Sequence, residues 1–173
     1  NAGGCQSASS VAMVVTENAL PATPTITANG PTTICTGGSI ILTSSAETSY
    51  LWSNGETTPS ITVTAAGSYS VQVTNASGCQ SAASTATDVT VDAIPATPTI
   101  TAGGPTTFCT GDSVTLTSSA GTSYLWSDGE TTPSISVTTG GSYTVQVTNA
   151  GVCQSAASAA TVVTENSLPA IPT

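Results

Sequence analysis

Tandem all-β modules, each a small Greek-key sandwich, are the fold class this sequence predicts, and three observations predict it. The chain repeats itself: Cys5, Cys79 and Cys153 stand 74 residues apart, as do Cys35 and Cys109, Trp52 and Trp126, and Tyr69 and Tyr143. An uninterrupted period of that size marks an array of structural modules. Short runs such as Ser68-Tyr69-Ser70-Val71-Gln72-Val73-Thr74 alternate apolar and polar residues, as half-buried strands do. Nowhere does the apolar pattern take the 3.6-residue period of a helix.

The repeat register sets the boundaries. Residues 1–22 match the last third of a repeat, 23–96 and 97–170 are full copies, and 171–173 open a further one. The two full copies agree at roughly three-quarters of their positions without an insertion. The 173 residues thus hold two repeats of 74 and a further 25, which reads as a window on a longer array. A competing reading gives Asn1–Pro21, which carries the last strands of a sandwich, to a neighbouring subunit by strand addition.

Within the first full copy, Thr25-Ile26-Thr27 is strand-like and Asn29-Gly30-Pro31 is a turn. Ile34-Cys35 precede a second turn at Gly37-Gly38. Ser39–Thr43 and Ser49–Ser53 read as strands, the second closed by Asn54-Gly55, a pair suited to a two-residue type I′ hairpin. Ser60–Thr64 and Ser68–Thr74 follow, then an Ala/Ser-rich stretch after Cys79 that ends in Val89-Thr90-Val91. About seven short strands per copy point to an immunoglobulin-like sandwich. Tyr50, Trp52, Ile61, Val63, Tyr69, Val71 and Val73 are the expected core, with Trp52 as core filler rather than an exposed sugar platform. The proline pairs Pro21/Pro24, Pro95/Pro98 and Pro169/Pro172 recur at the junctions and predict semi-rigid spacers between beads.

Composition removes whole classes of function. The chain has no Lys, Arg or His, and nine acids give it a net charge of −9. Without cations it cannot neutralise phosphates, so no nucleic-acid partner is expected. A basic patch on an anionic membrane is ruled out for the same reason. No apolar run approaches the ~20 residues of a membrane span, so no membrane insertion is expected. Missing lysines also exclude a Lys–Asn isopeptide staple, and trypsin-like proteases have no cleavage site.

The cysteines then carry the reinforcement. Cys35 and Cys79 fall in one copy and Cys109 and Cys153 in the next, which predicts the bridges 35–79 and 109–153. Cys5 occupies the position of Cys79, with its partner outside the window or on a neighbour. Each bridge would close a loop of about 45 residues, worth about 4 kcal/mol in the chain-entropy model. Such staples suit a 74-residue module with few aromatics and place the protein outside the cytoplasm.

No constellation carries catalysis. Triads and His-based metal sites are impossible without His. A carboxylate pair could hydrolyse glycosides, but only Glu56 and Glu130 recur between copies. Asp128 with Glu130, and Asp88 with Asp92, offer oxygens to calcium, yet neither set has a dense Asp-x-Asp pattern. The reading is no enzyme, no cofactor and no metal. Asn75-Ala76-Ser77 fits the N-glycan acceptor pattern, which marks Asn75.

Pro105-Thr106-Thr107-Phe108-Cys109-Thr110-Gly111-Asp112-Ser113-Val114 is followed by Tyr124-Leu125-Trp126-Ser127-Asp128-Gly129, Gly141-Ser142-Tyr143-Thr144-Val145 and Asn149-Ala150-Gly151-Val152-Cys153. This pattern resembles the Ig-like repeats of giant cell-surface adhesins and gliding-associated proteins of Bacteroidetes, and the resemblance covers the whole chain. It implies export through the outer membrane, often by a carboxy-terminal type IX sorting domain, and service as a stalk. Asp112-Ser113-Val114 looks like the O-glycan acceptor used in that phylum, which marks Ser113. The expected function is a structural module of an extracellular fibre or adhesin stalk that associates with itself head-to-tail or continues in the same polypeptide. The alternatives are a module binding glycans or a host surface, or accessory domains of a secreted enzyme. The loops barely differ between copies and contain few aromatics or charges, which weakens the binding reading.

Overall fold

The computed structural model describes residues 4, 6–150 and 153–170. All regular structure among them is strand. The first copy contains β1 (Ile26–Ala28), β2 (Thr33–Cys35), β3 (Ile40–Ser44), β4 (Ser49–Trp52), β5 (Ser60–Val63), β6 (Gly67–Tyr69), β7 (Val71–Thr74) and β8 (Thr87–Asp92). The second repeats them as β9 (Ile100–Ala102), β10 (Thr107–Cys109), β11 (Val114–Ser118), β12 (Ser123–Trp126), β13 (Ser134–Val137), β14 (Gly141–Tyr143), β15 (Val145–Thr148) and β16 (Thr161–Asn166).

In the second copy, β9, β11 and β13 form one antiparallel sheet, with Leu116 opposite Ala102 on one side and Ile135 on the other. The opposing layer is built on a single extended stretch, 141–148, interrupted only at Thr144. Its first half pairs with β16 and its second half with β12, while β10 lies parallel to the far edge of β16. Trp126, Val145 and Val163 from this layer pack with Val114, Leu116, Ile135 and Val137 from the other. Two sheets with chain crossovers of this order make an immunoglobulin-like sandwich, so the expected fold class is the observed one. The first copy has the same strand orders: β1-β3-β5, β2-β8-β6 and β4-β7.

By packing, the chain divides into two compact units that cut across the repeat. The first comprises Asn1–Thr27, Thr43–Ile61 and Tyr69–Ala86, and the second comprises Ala28–Leu42, Thr62–Ser68 and Thr87–Thr173. The first unit holds the β4–β7 ladder, in which Trp52 faces Val71 and Tyr50 faces Val73. The second holds the β2–β8 ladder together with the whole second copy.

Several expectations are refined. Each copy has eight short strands, because its opening stretch breaks at Asn29-Gly30-Pro31 or Gly103-Gly104-Pro105 and the pieces join different sheets. Proline cannot donate to a ladder, so the strand switches there. Trp52, Ile61, Val63, Val71 and Val73 are buried as expected, and Ile34, Ile40, Leu42 and Val89 join them. Tyr50 and Tyr69 are only half-buried. The Tyr50 hydroxyl accepts from Glu47 N–H at 2.8 Å and donates to the Glu47 carbonyl at 3.0 Å. Pro24 and Pro98 are buried at the entrance of their modules, so the second proline of each pair belongs to the module rather than to a spacer.

The expected two-residue hairpin is also corrected. Gly55 N–H donates to Trp52 O at 2.9 Å and Trp52 N–H to Glu56 O at 2.8 Å, which makes a three-residue loop, Ser53-Asn54-Gly55. Gly55 closes it at φ +90°, the left-handed position of a bulged type I turn. No hairpin ladder follows, because β4 pairs with β7 and β5 belongs to the other sheet.

The Ala/Ser-rich stretch has a specific role. Ser155 and Ser158 donate their N–H groups to Val147 O and Val145 O, both at 2.9 Å. Their hydroxyls accept from Val147 N–H at 3.0 Å and Val145 N–H at 3.1 Å, standing in for strand carbonyls. Both serines are buried. Ser158→Ala leaves the Val145 N–H unpaired in the core, and a loss of about 1–3 kcal/mol is expected in guanidinium unfolding.

Candidate functional site: the cysteine junctions

Cys35 and Cys153 form a disulfide, with Cα atoms 5.6 Å apart and 118 residues between them in sequence. Both expected pairings, 35–79 and 109–153, are therefore wrong: Cys79 and Cys109 are free thiols. The reason is the strand direction. Cys109 lies beside Asn166, at the far end of β16, whereas Cys153 precedes Gln154, which bridges to Thr148. Gly141 opposite Val163 and Thr148 opposite Gln154 mark the two ends of the shared strand. Seven residues of extended chain separate those ends by about 23 Å. A disulfide needs Cα atoms within roughly 7 Å. Cys5 lies outside the described residues.

The bridge sits in a built junction. Cys153 is fully buried. Its N–H donates to Asn149 Oδ1 at 3.0 Å, and Asn149 N–H returns to Cys153 O at 3.1 Å. The Asn149 Nδ2 amide reaches the residue that follows β8 of the first copy, donating to Ala93 O at 2.7 Å. Cys153 Sγ stands 3.9 Å from Asp92 O. That carbonyl also accepts Thr36 N–H at 2.8 Å and Thr36 Oγ1–H at 3.1 Å. Gly38 N–H to Cys35 O at 2.7 Å, with Gly37 at φ +84°, closes a turn that presents Cys35.

The same motif recurs 74 residues earlier without the bond. Asn75 Nδ2 donates to Ala19 O at 2.9 Å, Cys79 N–H donates to Asn75 Oδ1 at 3.0 Å, and Cys79 Sγ is 3.8 Å from Asn18 O. At the other cysteine position, Thr110 N–H and Oγ1–H bind Asn166 O at 2.9 and 3.2 Å, and Asp112 N–H closes the turn on Cys109 O at 3.0 Å. Each free thiol is thus held in the local geometry of one half of the closed bridge.

The remaining marked residues are scattered. Asn75, the sequon residue, uses the amide nitrogen that would carry a glycan to hold Ala19 O. Asn149 does the same with no sequon. Ser113 is exposed in the turn between β10 and β11. Asp88 accepts a hydrogen bond from Ser68, and Asp128 Oδ1 accepts Glu130 N–H at 3.1 Å. Among the described residues no three His, Cys, Asp or Glu side chains group as metal ligands. Trp52 and Trp126 are buried and their indole N–H groups bind Thr58 O and Thr132 O, both at 2.8 Å, so neither offers a stacking face. A groove of about 380 Å³ lined by Pro95, Thr97, Ala120, Thr122, Val147 and Asn149 has no charged or aromatic side chain. Of the junction asparagines, the sequence pattern marks Asn75 alone, as a glycan acceptor rather than a clamp. Their fixed spacing, four residues before Cys5, Cys79 and Cys153, was the available signal.

No protein-family model matches the chain, and no curated protein matches it. Among solved structures it is similar to three N-terminal domains of the highly immunogenic outer capsid protein Hoc of bacteriophage RB49, at 21 % identity and a TM-score of 0.44 over 83 % of this chain. The chain spans 59 % of the length of that structure. It is also similar to the human OSCAR ligand-binding domain, at 14 % identity and a TM-score of 0.37, over 84 % of this chain and all of that one. No helix among the described residues is long and apolar enough to cross a membrane.

Proposed function

We propose that the chain is a run of structural modules from an extracellular bacterial fibre or adhesin stalk, without catalytic activity of its own. The observation that carries this reading is the bridge between Cys35 and Cys153, which links one copy of the repeat to the next rather than stapling a copy to itself. A covalent link of that kind transmits tension from module to module and does nothing for an isolated domain's ligand. An extracellular location fits both the disulfide and the lack of any trypsin site. The resemblance to Bacteroidetes repeats adds type IX export, surface exposure and O-glycosylation at Ser113 to the proposal.

Electron microscopy of the native material, kept oxidised, tests it. Regular filaments that survive trypsin are the expected result. Flexible isolated strings, each carrying a different terminal domain and falling apart under tension once reduced and alkylated, would make the chain a passive spacer and overturn the fibre reading.

A further inference from the structure

Tension along a chain of sandwiches enters each copy through its first strands and leaves through its last. In the first copy the way in is β2 and the way out is β8, which lie parallel over Thr33–Thr90, Ile34–Val91 and Cys35–Asp92. In the second copy the corresponding pair is β10 and β16, parallel over Thr107–Thr164, Phe108–Glu165 and Cys109–Asn166. Parallel strands drawn in opposite directions are sheared past one another, and only the bonds between them resist. Each ladder is three residue pairs long. Thr36 adds its N–H and Oγ1–H to Asp92 O, and Thr90 N–H holds Thr32 O at 2.9 Å. That is a short seam for a load-bearing module.

The disulfide changes the route. Cys35 is the last residue of β2, and Cys153 follows β15 and precedes β16. A pull applied before Cys35 and beyond Cys153 passes from one sulfur to the other, and the chain between them is a closed loop that carries none of it. That loop holds β3–β8 of the first copy and β9–β15 of the second, so β8 and β10 are both unloaded. Neither ladder then joins two taut strands. Staples within each copy, 35–79 and 109–153, would leave β8 and β10 in the line of tension. Only a bond across the copy boundary removes both.

We propose that the Cys35–Cys153 bond is a covalent bypass, which takes tension off the two shear ladders and sets the length to which this stretch can be drawn. This rests on the fibre reading and gives the bridge its task in the fibre. The junction is built to hold that line. Asn149 Oδ1 fixes the N–H of the buried Cys153, and Asn149 Nδ2 fixes Ala93 O. Cys35 is fixed to the adjoining Asp92 by the β2–β8 ladder. Both cysteines are thus anchored to the same two residues at the end of β8, where one copy passes into the next.

The test holds the whole chain by peptide tags at its two ends and stretches it one molecule at a time. Fully drawn out, it should be about 400 Å shorter than the Cys35→Ser/Cys153→Ser variant, because 118 residues at roughly 3.3–3.6 Å each stay inside the bridge. The double variant should yield in two steps, each releasing the chain of one copy, and the bridged chain in none of that size. A single bridged molecule stretched before and after a small-thiol reductant should pass from the first pattern to the second, which requires no variant to fold. Cys79→Ser with Cys109→Ser should leave the shortfall whole. Equal drawn-out lengths would overturn the proposal. So would a shortfall that vanishes in Cys79→Ser/Cys109→Ser, the mark of staples within each copy. A double variant with no copy-length step would overturn it too, because the ladders would then hold the load unaided. Filaments without a shortfall would sink the bypass and keep the fibre reading, and a shortfall without filaments would do the reverse.

Discussion

Replacing Cys35 and Cys153 together by serine should lower the unfolding free energy by about 4–5 kcal/mol, the chain-entropy value for a loop of this size. The closed span is long, 118 residues, and it encloses most of the second copy along with β3 to β8 of the first. Guanidinium unfolding under non-reducing conditions measures the loss. Cys109→Ser should leave stability within about 0.5 kcal/mol, because that thiol is exposed and unbonded in the single chain. The contrast is what discriminates. Bridges within each copy would make Cys109→Ser as damaging as Cys153→Ser, and Cys35→Ser with Cys153→Ser would then be additive. With one shared bridge, the double variant should lose no more than either single one.

Strand positions and most of the core were legible because alternation is a local signal. Val71, Val73, Ile61 and Val63 sit on one face of short strands, and nothing but their own neighbours is needed to see it. The disulfide pattern was not legible, for a reason built into the repeat. A cysteine in one copy sees chemically equivalent partners in its own copy and in the next, and sequence spacing cannot rank them. Distance ranks them, and distance depends on β10 running parallel to β16, which places Cys109 at the opposite end of the strand from Cys153. Parallel pairing of the short edge strand β10 with the central β16 leaves no mark in the periodicity. The loop at Ser53-Asn54-Gly55 failed differently. Asn-Gly suits a type I′ turn and a bulged type I turn equally well, and the hydrogen bonds of Trp52 decide between them. The asparagine clamp was in plain view as Asn-x-x-x-Cys. Where a serine follows, as at Asn75-Ala76-Ser77, the same asparagine also matches a glycan acceptor, which hides the clamp.

Trp126→Ala should be the most damaging single core substitution in the second copy, at about 3–5 kcal/mol. The indole is 2 % exposed and belongs to a cluster with Val114, Leu116, Ile135, Val137, Tyr143, Val145 and Val163, drawn from both sheets. Truncation leaves a cavity between two layers whose strands are each only three to six residues long, so little backbone is free to collapse into it. It also strands the Thr132 carbonyl, which the indole N–H holds at 2.8 Å beside the loop that carries the chain from one sheet to the other. Trp126→Phe separates the two contributions. It keeps most of the apolar volume and loses the hydrogen bond, so a cost of about 1–3 kcal/mol is expected. Trp52 remains as the only indole in either variant. Its fluorescence therefore reports the first copy directly, while far-ultraviolet circular dichroism reports both. If the copies are coupled only through the bridge and the junction, Trp126→Ala should move the circular-dichroism transition to lower denaturant and leave the Trp52 transition behind. Coincident transitions would instead show that the junction makes two sandwiches unfold as one.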